Sequence, residues 1–420
     1  MAIEQPFLIA IIARLGDAKY NLAAFGIAYS FALIIEAPVI MLMSASVALV
    51  KGRDSYLKLK KFTDILNIGV TCIQLILLIP SVFYWLVGDV MGVPENVVKL
   101  THIALLLLLP WAASIGYRRF YQGILIRNNL TRRVTYGTLV RLSTIAVVAL
   151  VLYNFGISGA YVGAAAGSLA VFFEAVATRI MAAKTVKKIL DTENNKQAKV
   201  EVDNGVSEKQ LTLRSITNFY TPLALTSILS LGVHPFVTFF LGKSLMAIES
   251  LAVLPVVGSL VFIFRSMGLS FQEVNIALIG EEKQNYQILK NFAIYLGIVV
   301  TVGISIIAFT PLAKIWFIKV SGLSLELADM SYLPLKIMIL LPAMTVLLNF
   351  QRSSLVSNGT TRPISTATAL ELITIILVLF VCVVSFNMVG VVAASIAFMA
   401  GKAMSNLYLA PKQKSAVKGW

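Results

Sequence analysis

Glu36 stands in the middle of SFALIIEAPVIMLMSASVALV, Ser30 to Val50, a run of apolar and small residues long enough to cross a bilayer. Arg141 in GTLVRLSTI, Arg265 in LVFIFRSMGLSF and Glu371 in TALELITI occupy the same kind of place. A charge at such depth costs about 3 kcal/mol on insertion scales, so each must face protein or water and find a partner. Side chains of this kind carry protons, bind ions or hold a charged solute. Two further candidates lie beside prolines: Glu4 before Pro6, and His234 before Pro235, whose imidazole could carry a proton. Pro6, Pro38 and Pro235 are candidate hinges, because a proline inside a spanning helix frees backbone groups and bends the axis. Other chemistry is poorly supplied. Two histidines, His102 and His234, are too few for a metal cluster, and Cys72 and Cys382 fall inside apolar runs where they read as core fillers. There is no P-loop and no DDxxD-type acidic cluster. No catalytic residues and no cofactor are expected.

The elements that must position these residues are membrane-spanning helices. Hydrophobic residues make up 58% of the 420-residue chain and charged residues 13%, against roughly 25% charge in soluble domains. Mean hydropathy is +0.85. Twelve apolar runs begin near residues 1, 23, 63, 100, 134, 157, 216, 250, 291, 331, 364 and 388. No strand alternation is seen, so an outer-membrane barrel is not expected. The expected fold is an all-α polytopic membrane protein of twelve transmembrane helices.

The net charge of +15 would suggest nucleic acid in a soluble protein. Here Lys and Arg concentrate in every second connection, among them KGRDSYLKLKK and RRFYQGILIRNNLTRR, so topology accounts for the excess and no nucleic-acid partner is expected. The positive-inside rule puts both termini in the cytoplasm of a plasma (bacterial inner) membrane. Arg118, Arg119, Arg127, Arg132 and Arg133 would then crowd one cytoplasmic loop, and the N-x-T sequons at Asn129 and Asn358 would lie on loops beyond the reach of glycosylation.

The two halves repeat. QPFLIAIIARLGDAKYNLAAF from Gln5 matches HPFVTFFLGKSLMAIESLAVL from His234 at an offset of 229, and RRFYQGILIRNNLTRR from Arg118 matches LNFQRSSLVSNGTTRP from Leu348 at an offset of 230. Six spans per half is an even number, so the copies share orientation about an axis along the membrane normal. The expected organisation is an N-terminal six-helix lobe (1–189), a solvated linker (190–215), a C-terminal six-helix lobe (216–411) and a tail (412–420). The seventh span begins near Ser215, so its counterpart would begin upstream of Met1, and the first helix is expected to be truncated at its N-terminus. The repeat register sets Glu36 opposite Arg265 and Arg141 opposite Glu371. Two readings follow. The four charges form two fixed salt bridges, Glu36–Arg141 and Arg265–Glu371, or they line a polar cavity where substrate or ion binds.

Smaller features are read in the same way. Gly159, Gly163 and Gly167 fall on one helix face, a surface for close helix packing. Gln74 and Lys402 could line a cavity, but a lone Lys near a helix end more often snorkels to the interface, and His234 is expected to be buried and neutral.

The element Tyr121-Gln122-Gly123 followed by Thr131-Arg132, echoed by Phe350-Gln351, Gly359 and Thr361-Arg362, resembles a motif of the MATE transporters. Their superfamily also includes exporters of polysaccharides and oligosaccharidyl lipids. The stretch TPLALTSILSLGVHPFVTFFLGKSLMAIESLAVLPV looks like the seventh and eighth spans of the progressive-ankylosis proteins, a related branch linked to organic anions and phosphate compounds. The resemblance implies two pseudo-symmetric six-helix bundles and a coupling role for an acid in the first helix, here Glu4. It implies a secondary active exporter of a small organic solute, working by alternating access, driven by protons or sodium and acting as a monomer in the bilayer. The alternative within the superfamily is a flippase for a lipid-linked oligosaccharide, against which the zero sum of the four mid-span charges argues. A polytopic transferase and a non-transporting scaffold are the readings from other classes.

Overall fold

The computed structural model describes residues 3–197, 212–279 and 285–417. Among them the chain is helical, without a strand ladder, and the helices follow the twelve apolar runs. The first half comprises α1 (Glu4–Ile12), α2 (Ala18–Glu36) with α3 (Leu42–Leu49), α4 (Arg53–Leu77) with α5 (Pro80–Tyr84), α6 (Glu95–Leu107) with α7 (Leu109–Arg127), α8 (Thr131–Asn154) and α9 (Gly159–Gln197). The second half comprises α10 (Leu213–Leu231) with α11 (Val233–Gly242), α12 (Ala247–Ile279), α13 (Tyr286–Phe309) with α14 (Leu312–Lys314), α15 (Leu325–Ile337) with α16 (Leu341–Ser357), α17 (Arg362–Phe380) and α18 (Gly390–Val417). Ten of these segments are long and apolar enough to cross a membrane, or up to eleven if α4 and α5, bent by 72°, count as one span. The nine residues of α1 are too few to span alone. Helix α9 continues to Gln197, past the expected start of the linker at 190, and residues 198–211 lie outside the described part.

Proline and glycine set the interruptions. Pro38 lies in the turn between α2 and α3, Pro235 lies three residues after the break at Gly232, and Pro110 and Pro342 open α7 and α16 just after their own breaks. Each removes a backbone donor that the preceding turn would need. Pro6 differs: it sits in the first turn of α1, where no such bond is required, so it breaks nothing among the described residues.

The halves pack alike. α7 lies against α9, α3 and α4 as α16 lies against α18, α12 and α13. The glycine stripe does the expected work: Gly159 and Gly163 let α9 approach Ile12 of α1 and Phe25 of α2, and Gly167 faces the Trp111 ring. The two bundles meet along α2, which packs on α11 and α12, with α1 against α12 and α4 against α10. Outward faces carry exposed Ile, Leu, Val and Phe, for example Ile65, Ile68, Ile73 and Ile76 on α4 and Ile294, Ile298, Val302 and Ile306 on α13. Bands of this kind are what lipid contact requires, and the chain is an integral membrane protein.

Candidate functional site

Inside the first bundle, five helices bring three carboxylates and two guanidiniums together. Arg141 on α8 donates to Glu4 Oε1 on α1 through Nη2 (2.5 Å) and Nε (3.1 Å). Its Nη1 lies 3.6 Å from Glu174 Oε2 on α9, and Arg118 Nη1 on α7 donates to that same oxygen at 2.7 Å. Gln122 Nε2 donates to the other Glu174 oxygen at 3.3 Å. Glu36 is joined indirectly: Trp111 Nε1 donates to its Oε2 at 2.5 Å, and the Arg141 guanidinium lies 5.7 Å from the Trp111 ring centre. All five charged side chains are buried, Glu174 completely. Arg119, half-buried, adds a third cation beside them, so acids and bases balance.

The second bundle is built differently at the same depth. Lys402 Nζ on α18 donates to Glu371 Oε1 on α17 at 2.5 Å, and Ser405 donates to Oε2 at 3.0 Å. Arg265 on α12 donates from Nε to Thr345 on α16 at 3.3 Å, and Arg352 on α16 donates from Nη2 to Thr368 on α17 at 3.1 Å. Neither arginine has a carboxylate within 4 Å among the described residues, although both lie within the field of Glu371. Three cations therefore face one acid, an excess of two positive charges. His234 on α11, a helix that touches the other bundle, is exposed and lies within the field of Arg265.

Several expectations are corrected by this geometry. Glu36 and Arg141 do not pair directly, nor do Arg265 and Glu371, because nearer partners intervene: Glu4 and Glu174 take Arg141, and Lys402 takes Glu371. Arg118 and Arg119 are not loop residues. Helix α7 runs through them to Arg127, and a buried acid on the facing helix makes that depth tolerable for Arg118. Lys402 does not snorkel; it is 8% exposed and ion-paired. His234 is exposed rather than buried. The zero sum of mid-span charges fails once Glu174, Arg118, Arg119, Arg352 and Lys402 are included. Glu174 escaped the sequence reading although AVFFEAVATRI carries the same signal as the run around Glu36. Gln74 is a packing residue, donating to the Leu105 carbonyl near the end of α6 at 3.2 Å.

The Tyr-Gln-Gly element also has a physical account. A Cβ on Gly123 would stand 2.5 Å from the Met43 carbonyl oxygen, so only glycine lets α7 approach α3 this closely. Gln122 holds Glu174. In the turn that follows, Asn129 (φ 58°) and its repeat counterpart Gly359 (φ 70°) take the left-handed conformation that reverses the chain.

The bundles are closed against each other near both faces. On the face opposite the basic connections, Lys19 Nζ pairs with Glu249, and Arg14 donates from Nη2 to the Lys319 (2.6 Å) and Val320 (3.0 Å) carbonyls. The repeat offset in this stretch is 229, so Glu249 is one residue beyond the counterpart of Lys19, and the pair ties the start of α2 to the start of the equivalent helix α12. Toward the basic face, the Tyr220 hydroxyl on α10 donates to the Pro38 carbonyl at 2.5 Å, and the Tyr220 ring packs edge-on against Phe62.

The chain shares its fold with solved MATE transporters and their superfamily relatives. The chain is similar to an inward-facing multidrug-resistance MATE family transporter of the MOP superfamily (TM-score 0.65, 15% identity, covering 100% of this chain and 96% of that one). It is similar to the lipid II flippase MurJ in an inward closed conformation (TM-score 0.71, 17% identity, 98% and 85%). It is also similar to a MOP superfamily transporter from Pyrococcus furiosus described as having a binding pocket of reverse polarity (TM-score 0.57, 16% identity, 99% and 88%). By sequence, no family model and no curated protein matches.

Proposed function

We propose that the chain is an alternating-access transporter that moves an anionic organic solute across the membrane, out of the compartment its basic loops face. The observation that carries this reading is the charge imbalance of the second bundle. Among the described residues Arg265 and Arg352 have no carboxylate of their own, and exposed His234 lies within the field of Arg265 on a helix at the bundle boundary. Uncompensated cations at this depth are costly, and a negatively charged ligand offsets that cost when it binds. The balanced cluster of the first bundle suits a different task. Glu36, held by Trp111 alone, is the acid there most open to taking a proton or sodium ion, so coupling is assigned to that bundle. In this reading the protein works as a monomer in the plasma membrane with both termini cytoplasmic.

A second reading is supported by the same cations and by the likeness to MurJ: the anion is the phosphate of a lipid-linked sugar. The resemblance to the progressive-ankylosis proteins points to the same sign of charge.

The test is thermal stabilisation of the purified protein by a panel of organic phosphates, carboxylates, polyprenyl pyrophosphates and cationic drugs, since a ligand that binds the folded state raises its apparent stability. Anions should raise the melting temperature. Arg265→Gln and Arg352→Gln should blunt that shift while leaving the ligand-free melting temperature near wild type, because neither arginine is in an ion pair among the described residues. Stabilisation by cationic drugs and none by anions would overturn the proposal.

A further inference from the structure

The outer wall of the second bundle carries a groove with a volume of about 710 Å³ between α13, α16 and α18, away from both charge clusters. Small side chains open it. A Cβ on Gly297 would still be 3.8 Å from that of Ala343, so the floor is shallow where a leucine would fill it. Ile294, Ile298, Val302 and Leu347 add apolar walls. The chemistry changes at one end only. Lys290 and Lys414, both exposed, line the groove at the face of the basic connections, and no carboxylate lines it among the described residues. Neither lysine is in an ion pair among the described residues.

Length adds a second constraint. From Lys290 to Val302 is twelve residues of α13, about 18 Å at 1.5 Å per residue. Half of a ~30 Å hydrocarbon core is close to that. The groove is thus apolar over about one leaflet and cationic where headgroups lie. A lone lysine near a helix end snorkels without any ligand; two lysines over a pre-formed trough of leaflet depth match an amphiphile. Gln351, on the same wall, has a side-chain carbonyl oxygen with no hydrogen-bond partner, which a hydroxylated headgroup could supply.

We propose that this groove is a binding site for an anionic phospholipid of the leaflet on the basic side, with an acyl chain along α13 and the phosphate between Lys290 and Lys414. The site is independent of the transport reading, because none of its residues belongs to the charge clusters.

Native mass spectrometry of the purified full chain with phosphatidylglycerol and phosphatidylcholine tests it. Wild type should retain phosphatidylglycerol with a preference on the order of tenfold, as two lysines at a membrane surface supply. The double variant Lys290→Gln/Lys414→Gln should lose the preference and keep phosphatidylcholine binding unchanged. Gly297→Leu should reduce retention of both lipids, with gel filtration reporting that the fold is intact. Equal retention of the two lipids by wild type, or an unchanged preference in the lysine variant, would overturn the site. So would tighter retention of a polyprenyl pyrophosphate than of phosphatidylglycerol, which would make the groove a substrate-tail channel. A preference lost only in Arg265→Gln would also overturn it, by moving the anion to the bundle interior.

Discussion

Replacing Glu174 by glutamine removes one negative charge and almost no volume, and it should be the most damaging single carboxylate change in the first bundle. Its Oε2 accepts from Arg118 at 2.7 Å and lies 3.6 Å from Arg141 Nη1, and both members of the Arg118 pair are buried, with side-chain exposures of 3% and 0%. Arg141 keeps Glu4. Among the described residues Arg118 keeps no acid within 4 Å, and its Nε is already without a partner. With charge centres about 4 Å apart and an effective dielectric near 20, the lost attraction is about 4 kcal/mol. Breaking a buried pair from one side generally costs about 3–5 kcal/mol. Glu36→Gln is the matched control. A glutamine carbonyl accepts the Trp111 bond as the carboxylate did, so about 1 kcal/mol or less should be lost. The assay is thermal unfolding of the detergent-purified proteins, with Arg118→Met on the Glu174→Gln background as the rescue. Glu174→Gln should unfold well below wild type, Glu36→Gln close to it, and the double variant should recover part of the loss. Equal melting temperatures for Glu174→Gln and Glu36→Gln would refute the reasoning, since burial would then outweigh pairing in setting the cost. Under the coupling assignment, Glu36→Gln also loses ion-driven transport while it folds normally.

The Lys19–Glu249 pair between the bundles gives a gating prediction. Lys19→Glu places two acids together and should favour opening of that face, seen as increased reactivity of a cysteine placed on α2 or α12. Lys19→Glu with Glu249→Lys should restore the wild-type pattern, and an unchanged reactivity in the single variant would show that the pair holds nothing closed. Gly123→Val would drive side-chain atoms into the Met43 carbonyl at a contact that already leaves no room for a Cβ. A loss of about 1–3 kcal/mol is expected from such overpacking, measured as a drop in melting temperature.

Much of this was readable from the chain alone, and the reason is the bilayer. Hydrocarbon leaves the backbone little choice but helices, so apolar runs and their polar gaps mark the spans, and the shared offset near 230 marks the two bundles. The unusual depth of Glu36, Arg141, Arg265 and Glu371 was legible for the same reason. Their partners were not. Hydropathy treats every charge as unpaired, so it ended a span before Arg118 and Arg119, although Glu174 on a neighbouring helix makes Arg118 acceptable inside. It gave Lys402 to the interface although Glu371 holds it. Which acid meets which base depends on how α1, α7, α8 and α9 are rotated about their own axes. That rotation is set by side chains on other helices: Gly159 and Gly163 bringing α9 onto α1, and Gly123 bringing α7 onto α3. Spacing along a single helix carries the face a residue lies on, but not the neighbour that face will meet. The balance of the first cluster and the positive excess of the second therefore appeared only when the helices were packed.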